Sequence, residues 1–291
     1  MIEFISKNQK QNLILFVHGF IGGRETWVDE TNPHRILNYL MNDKYLHEQC
    51  DFALFNYFTQ LSDKFATVKW LISFFSGGKK LKKNLSIDDL SDLLCSEIQV
   101  NLKQYERIIL VAHSMGGLVS KSCILKMLDN GNESKIVLYI SLAVPHNGSD
   151  LATLGRIILN NPQVEDLGPL QIFLNDVNQK WIKQKALPAT IYHQGKNDNI
   201  VPKTSSIGYD VRDIKPVYSD DDHFSILKPE KEDDIVVTSI ADSIKAILTN
   251  PPGKAGSEKS IEKDQGSSDS FSNISGSVII NRSEVKGSFN K

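Results

Sequence analysis

Ser114, Asp198 and His223 stand in that order along a chain of 291 residues, each where an apolar run gives way to a polar turn. A hydroxyl, a carboxylate and an imidazole, if brought together, can carry out acyl transfer. The imidazole takes the hydroxyl proton, the oxygen attacks a carbonyl, and the carboxylate fixes the imidazole tautomer and stabilises the imidazolium. Ser114 lies within 109-ILVAHSMGGLVSK-121. An apolar run stops at Ala112, and a helix-like sequence starts at Met115. A serine on so sharp a corner has a strained backbone and needs small residues two places either side. Ala112 and Gly116 meet that need, alanine being the smallest departure from the usual glycine. Such a corner holds Oγ clear of the backbone and sets the Met115 amide at a helix start, where its N–H can face an oxyanion. Taken alone, the pentapeptide fits a plain glycine-bearing turn equally well.

Other segments supply the remaining parts. In 14-ILFVHGF-20 a strand ends at His18-Gly19-Phe20, and the Phe20 amide is the expected second oxyanion donor. Gly19 lets the backbone come close, and Gly22-Gly23 keep the loop open. His18 shapes that loop rather than acting as the base, and His113 and Gly116 shape the corner. In 190-TIYHQGKNDNIVP-202, Asp198 follows a strand within a run of turn formers, a place that suits both a turn and a triad acid. In 219-SDDDHFSILKP-229, His223 follows a short predicted last strand, 215-KPVYS-219. Asp220, Asp221 and Asp222 are local rivals for the acid. A residue beside a histidine in sequence rarely reaches that histidine's Nδ1, so Asp198 leads. The stretch 141-SLAVPHNGSD-150 reads as a rigid turn near the site mouth without a catalytic role.

The elements that must position these residues are legible as an α/β pattern over 1–248. Short runs rich in β-branched residues recur at Leu13–Val17, Phe52–Phe55, Ile108–Ala112, Ile136–Ala143 and Thr190–His193. Longer periodic segments lie between them. Ser86 with Asp89 three places on starts a helix in the manner of a capping box, followed by Leu90, Leu93, Leu94 and Ile98 at helical spacing. Apolar strands alternating with helices predict a mostly parallel central sheet covered on both faces, with chemistry at the carboxyl ends of the strands.

Composition excludes several classes. Lys and Arg number 33 against 35 Asp and Glu, so no overall field draws the chain to nucleic acid. Cys50, Cys95 and Cys123 lack metal-ligand spacing and cannot all pair, and they are read as reduced thiols. No ligand constellation implies a metal or cofactor. The first residues lack a basic-then-apolar leader, and no apolar stretch reaches the roughly 20 residues of a bilayer span. A cytoplasmic protein is expected, with peripheral membrane contact as an option. That option rests on Trp70, Leu71, Ile72, Phe74 and Phe75, followed by Gly77-Gly78 and Lys79, Lys80, Lys82 and Lys83. This stretch suits a buried helix end with a solvated basic loop, an anionic lipid surface, or a lid hinged at the glycines. Residues 249–270 are polar and bear Gly, Pro and Ser, the composition of a flexible linker. In 271–291 the pieces 274-ISGSV-278 and 285-VKGSF-289 match, Gly276 with Gly287 and Ser277 with Ser288.

FVHGF, AHSMGGLVSK, LAVPHNGSDLA, NDNIVP and DHFSILKP together resemble the lipase-like branch of the α/β-hydrolases. Within it the chain is most similar to the serine-active-site-containing intracellular esterases and the allied glycosylphosphatidylinositol-deacylase-like proteins. The resemblance covers about residues 13–230. It implies an α/β-hydrolase fold, catalytic Ser114, Asp198 and His223, and oxyanion donors at Phe20 and Met115. It says little on substrate; a carboxylic ester of a lipid or phospholipid is favoured by the lipid-surface and lid readings of the stretch from Trp70 to Lys83. The tail resembles short amyloid-signalling motifs at the C-termini of some microbial effectors, which implies assembly with itself or with a receptor through residues 271–291. An unstructured terminus is the alternative. For the whole chain, the alternatives are a catalytically silent interaction protein of this fold and a hydrolase of thioesters or peptides.

Overall fold

The structure, a computed structural model, describes residues 1–19, 22–57, 86–129, 134–147, 168–202, 205 and 210–250. These residues belong to one compact unit, Met1–Pro252. The aromatic and lysine stretch between Phe58 and Lys83, and the 271–291 tail, lie outside the described residues.

Seven strands form one sheet in the order β1-β3-β2-β4-β5-β6-β7. They are β1 (Ile2–Ser6), β2 (Asn12–Val17), β3 (Cys50–Phe55), β4 (Arg107–His113), β5 (Ile136–Leu142), β6 (Ala189–Gly195) and β7 (Val217–Ser219). Among the described residues, β1 alone runs antiparallel, pairing with β3, and the other pairs are parallel. The apolar runs read as strands are all here. Strand β1 was not among them, because half-buried IEFIS at an edge lacks the continuous apolar character of the central strands. The described α-helices are α1 (Arg24–Trp27), α2 (Ile36–Asn42), α3 (Lys44–Gln49), α4 (Ile87–Val100), α5 (Met115–Asp129), α6 (Gly168–Lys183) and α7 (Ile235–Thr249). Helix α7 ends at Thr249, the first residue of the stretch assigned to the linker.

Alternation along each strand divides the core. Leu13, Leu15 and Val17 of β2 join Leu90, Leu94, Leu118 and Val119 on one face. Ile14 and Phe16 join Leu37, Leu40, Ile240 and Ile244 on the other. Every residue of β2 and β3 is buried, as a sheet covered on both faces requires. Each large aliphatic side chain removed from water contributes roughly 1.5–3 kcal/mol, so the two layers hold the sheet between them.

Helix α4 starts as its sequence predicts. The Ser86 hydroxyl accepts the Asp89 N–H at 3.1 Å, and the Asp89 carboxylate takes the Ser86 N–H at 3.0 Å. Leu93 departs from the expectation. It is 45% exposed, outside the buried stripe formed by Ile87, Leu90, Ser91, Leu94 and Ile98. Helix α5 is buried on nearly all sides, including Ser120, Lys121 and Ser122. Its buried polar groups find partners within the helix and across it: Ser120 Oγ donates to the Gly116 carbonyl at 2.8 Å, Lys121 Nζ to Asn178 Oδ1 at 2.7 Å and Ser122 Oγ to Ser91 Oγ at 3.2 Å.

Candidate active site

The corner between β4 and α5 is built from backbone constraints. Ser114 has φ 53°, the left-handed region that a non-glycine residue rarely adopts. Its N–H donates to the Leu142 carbonyl at 3.0 Å, and its carbonyl accepts the Gly117 N–H at 2.9 Å, so the strained turn is pinned from both sides. Gly116 allows α5 to abut the end of β2. A Cβ there would lie 2.2 Å from the His18 carbonyl oxygen and 2.6 Å from that of Val17. Ala112, in register with Val17 and Ser141, is fully buried, so its methyl group fits where the usual pattern has glycine. Met115 is the first residue of α5, and its N–H therefore has no acceptor within the helix.

Two loops from the carboxyl end of the sheet converge on this corner. His223 Nε2 lies 3.0 Å from Ser114 Oγ, and its Nδ1 lies 3.0 Å from Asp198 Oδ2. In the neutral ring with Nδ1–H donating to the carboxylate, Nε2 keeps its lone pair toward the serine hydroxyl, the tautomer a general base needs. Asp198 follows β6. Its Oδ1 accepts the N–H groups of Ile200 and Val201, each at 2.8 Å, so the carboxylate is locked as an Asx turn and aimed by its own loop. The carboxylate is fully buried and the His223 side chain nearly so. The structure thus brings together the three residues whose order along the chain suggested them.

The rival acids do other work. Asp222 Oδ1 accepts the N–H groups of Phe224 and Ser225, both at 2.7 Å. Asp221 accepts the Ser225 hydroxyl, and Asp220 takes the Asn197 amide. They build the turn that carries His223. Close approach at Gly195 draws the two loops together, since a Cβ there would lie 2.3 Å from the Asp221 carbonyl oxygen.

His18 Nδ1–H donates to the Gly19 carbonyl at 2.8 Å, and Nε2 accepts the Tyr57 N–H at 3.3 Å. Its ring stacks on Tyr57, whose hydroxyl donates to the His18 carbonyl. Burial pushes its pKa down, which favours the neutral ring. Gly19 runs against the serine, since a Cβ there would meet Ser114 Cβ at 2.8 Å. Phe20 lies outside the described residues. His113 Nε2–H donates to the His223 backbone carbonyl at 2.8 Å, and burial holds its pKa well below the usual range. In 141-SLAVPHNGSD-150, His146 is buried against Ser141, with 3.1 Å between Nε2 and Oγ.

Ser114 and His223 open into a cavity of about 570 Å³. Gly22, Val28, Phe224 and Leu227 line it, and so do Arg24, Glu25, Asp29, Glu30, Arg35 and Lys228. Sequence reading missed this polar wall. Arg35 is 7% exposed, and its Nη2 donates to Asp29 Oδ2 at 2.8 Å. Its Nε and Nη1 have no hydrogen-bond partner among the described residues. Nothing in PHRIL marks that arginine locally, because its environment is set by the loop around Asp29. Among the described residues no cluster of three or more His, Cys, Asp or Glu side chains could hold a metal ion, and no helix is long and apolar enough to cross a membrane.

The family model described as "PGAP1-like alpha/beta domain" matches residues 8–249. No curated protein sequence gives a significant match. Among solved structures, the chain is similar to Est1E from Butyrivibrio proteoclasticus, solved with ferulic acid bound. The TM-score is 0.55 at 14% identity, covering 86% of this chain and 95% of that one. It is also similar to the Bacillus licheniformis lipase BlEst2 in its mature form, with TM-score 0.51, 15% identity and coverage of 85% and 97%. The Pyrococcus furiosus esterase Pf2001 gives TM-score 0.50 and 14% identity, covering 85% and 86%. At these identities the likeness is one of fold, and the fold is that of the α/β-hydrolases.

Proposed function

The chain belongs to the PGAP1-like alpha/beta domain family, and from that premise we propose that it is a serine hydrolase of carboxylic esters. Ser114 is the nucleophile, His223 the general base and acid, and Asp198 the group that orients and stabilises the imidazolium. One observation carries the reading: His223 reaches Ser114 Oγ and Asp198 Oδ2 at 3.0 Å each, while Ser114 holds a left-handed φ that only a pinned corner maintains. Strain of this kind costs on the order of 1–3 kcal/mol and persists where the surroundings over-determine it.

The steps follow from this geometry. As Oγ attacks the ester carbonyl, its proton passes to Nε2, and the Met115 N–H at the start of α5 faces the developing oxyanion. The Phe20 amide is the second donor in this reading. The imidazolium then protonates the leaving alcohol. Water, deprotonated by the same nitrogen, attacks the acyl-enzyme and releases the acid.

A lipid or phospholipid ester is the substrate we favour. Val28, Phe224 and Leu227 offer the acyl chain an apolar wall beside Ser114, and Arg24, Arg35 and Lys228 face the polar part. Assembly through residues 271–291, at a membrane surface or with a receptor in the cytoplasm, extends this reading. Deleting those residues abolishes clustering and leaves monomer turnover intact if it is right.

The deciding experiment compares the purified chain with Ser114→Ala on short-chain esters, long-chain esters and phospholipid vesicles, with fluorophosphonate labelling alongside. Turnover and labelling both vanish in the variant. Equal turnover by the two proteins refutes the assignment. A wild type that is neither labelled nor active makes the fold a scaffold.

A further inference from the structure

Helices α4 and α5 lie side by side on one face of the sheet, and two cysteines meet between them. Cys95 Sγ lies 2.8 Å from Cys123 Sγ, inside ordinary van der Waals contact for two sulfurs. Both are free thiols. The helix backbones therefore hold the pair within a small movement of a bond, whose length is about 2.05 Å. The two sulfurs differ in access. Cys123 is fully buried in the core beneath α4, whereas Cys95 is partly exposed and lines a surface concavity with Asp92, Ser96, Gln99, Lys126 and Asp129. A small reagent can reach Cys95 and cannot reach Cys123 except past it.

Their acidities differ in the same sense. With both thiols protonated, the Cys95 S–H donates to Cys123 Sγ. Once Cys95 ionises, Cys123 donates instead, and the Lys126 ammonium adds attraction, so the Cys95 thiol is held below its ordinary value. Burial holds Cys123 well above its own. The third cysteine belongs elsewhere. Cys50 packs in the opposite layer of the core, and burial pushes it up to about 12. A reachable thiolate backed by a buried thiol is the arrangement that turns a first oxidation into a disulfide.

We propose that Cys95 is a site of oxidation by hydrogen peroxide and that Cys123 resolves the product into an intramolecular disulfide joining α4 to α5. In the first step the Cys95 thiolate attacks one peroxide oxygen. An S–O bond forms, the O–O bond breaks, and the sulfur gives up two electrons. The leaving oxygen departs as hydroxide and is protonated to water, leaving Cys95 as the sulfenic acid. In the second step Cys123 sulfur attacks Cys95 sulfur. The S–S bond forms as the S–O bond breaks, and the Cys123 proton leaves with that oxygen as a second water. One peroxide is consumed per disulfide, and a dithiol restores both thiols. The bond ties α4 to the helix whose first residue follows Ser114. The site shares no residue with the cleft, so the proposal does not depend on the hydrolase assignment.

The test uses the full chain, reduced, desalted and treated with one equivalent of hydrogen peroxide near pH 7.5. The protein is then unfolded in iodoacetamide and its peptides are mapped by mass. The expected product carries a Cys95–Cys123 cross-link and one alkylated cysteine, Cys50, and dithiothreitol before alkylation returns three alkylated cysteines. In Cys123→Ala, Cys95 stops at the sulfenic acid and is trapped by dimedone, and in Cys95→Ser peroxide consumption slows at least tenfold. Wild-type protein whose thiols all survive the treatment overturns the proposal. So does Cys95 oxidised to the sulfinic acid without a cross-link, or a cross-link that includes Cys50 or a second chain.

Discussion

Gly116→Ala is the sharpest single test of how the corner is built. The φ of Gly116 lies outside the left-handed region, so the argument is one of space alone. The added methyl would sit 2.2 Å from the His18 carbonyl oxygen and 2.6 Å from that of Val17, and carbon and oxygen need at least 3.0 Å. The shortfall is near 0.8 Å. Neither neighbour can rotate aside, because both are backbone atoms at the end of a central strand paired on both sides. Either α5 or the His18-Gly19 loop must move. Overpacking costs about 1–3 kcal/mol, and a rigid backbone neighbour places this site at the upper end. Helix propensity returns about 1 kcal/mol on replacing glycine by alanine. The net loss is therefore about 2 kcal/mol, or a fall of about 4–8 °C in melting temperature for a unit of this size. Activity is more sensitive. A displacement near 1 Å at Ser114 relative to His223 costs roughly a hundredfold in kcat/KM. Differential scanning calorimetry and ester hydrolysis read the two effects separately. A variant that melts within 1–2 °C of wild type and keeps a third of its activity would show that the corner is not held by this contact.

Gly117→Ala is a milder companion: its Cβ meets Val144 methyl carbons at 2.2 and 2.7 Å, which a side chain can yield, so turnover falls by about tenfold or less while stability still drops. Asp198→Asn should lower kcat by roughly 10⁴ with a small change in KM. The Ile200 and Val201 N–H groups keep the amide oxygen, so the NH₂ faces His223 Nδ1 and forces the proton onto Nε2. A loss under tenfold would sink the assigned tautomer. His113→Phe keeps a ring but removes the donor to the His223 carbonyl. A bond of about 1–1.5 kcal/mol corresponds to about a tenfold drop in kcat, read by stopped-flow acylation. Lys121 is fully buried, its Nζ donates to Asn178 Oδ1 at 2.7 Å, and burial pushes its pKa down to about 7. Between that value and its ordinary 10.5 the unfolded chain binds more protons than the folded one, so stability rises with pH across this window. The full effect is bounded by roughly 5 kcal/mol at about 1.36 kcal/mol per pH unit. Lys121→Met lacks this rise, so its stability relative to wild type is greatest near pH 6 and declines toward pH 9.5. Urea unfolding at both values checks the sign, and an equal difference at the two would contradict it.

Much of this was legible in the chain because it depends on short-range rules. A serine between Ala112 and Gly116 at a strand end needs a corner, whatever lies elsewhere. Ser86 and Asp89 cap a helix through atoms three residues apart. Continuous apolar runs at Leu13–Val17 and Phe52–Phe55 announce strands buried on both faces, and their alternation with helices predicts a mostly parallel sheet, to which the antiparallel edge strand β1 is added. The order Ser114, Asp198, His223 follows from which strand ends carry them.

Tertiary structure decided the rest, because those facts depend on which distant segments share a few ångströms. Asp198 and Asp222 are both acids on turns near His223. The Asx turn over Ile200 and Val201 aims Asp198, the close packing of the β6 loop against the Asp221 carbonyl at Gly195 brings it to Nδ1, and Asp222 caps its own turn. The Arg35 side chain enters the cleft because the loop around Asp29 folds over it. Cys95 and Cys123 stand 28 residues apart with a spacing that suggests nothing, and they touch because α4 and α5 pack on one face of the sheet. Local sequence sets what each residue can do, through torsion, capping and polarity. The packing of helices on the sheet sets which of them meet, because burial of the shared core fixes positions that no local preference specifies.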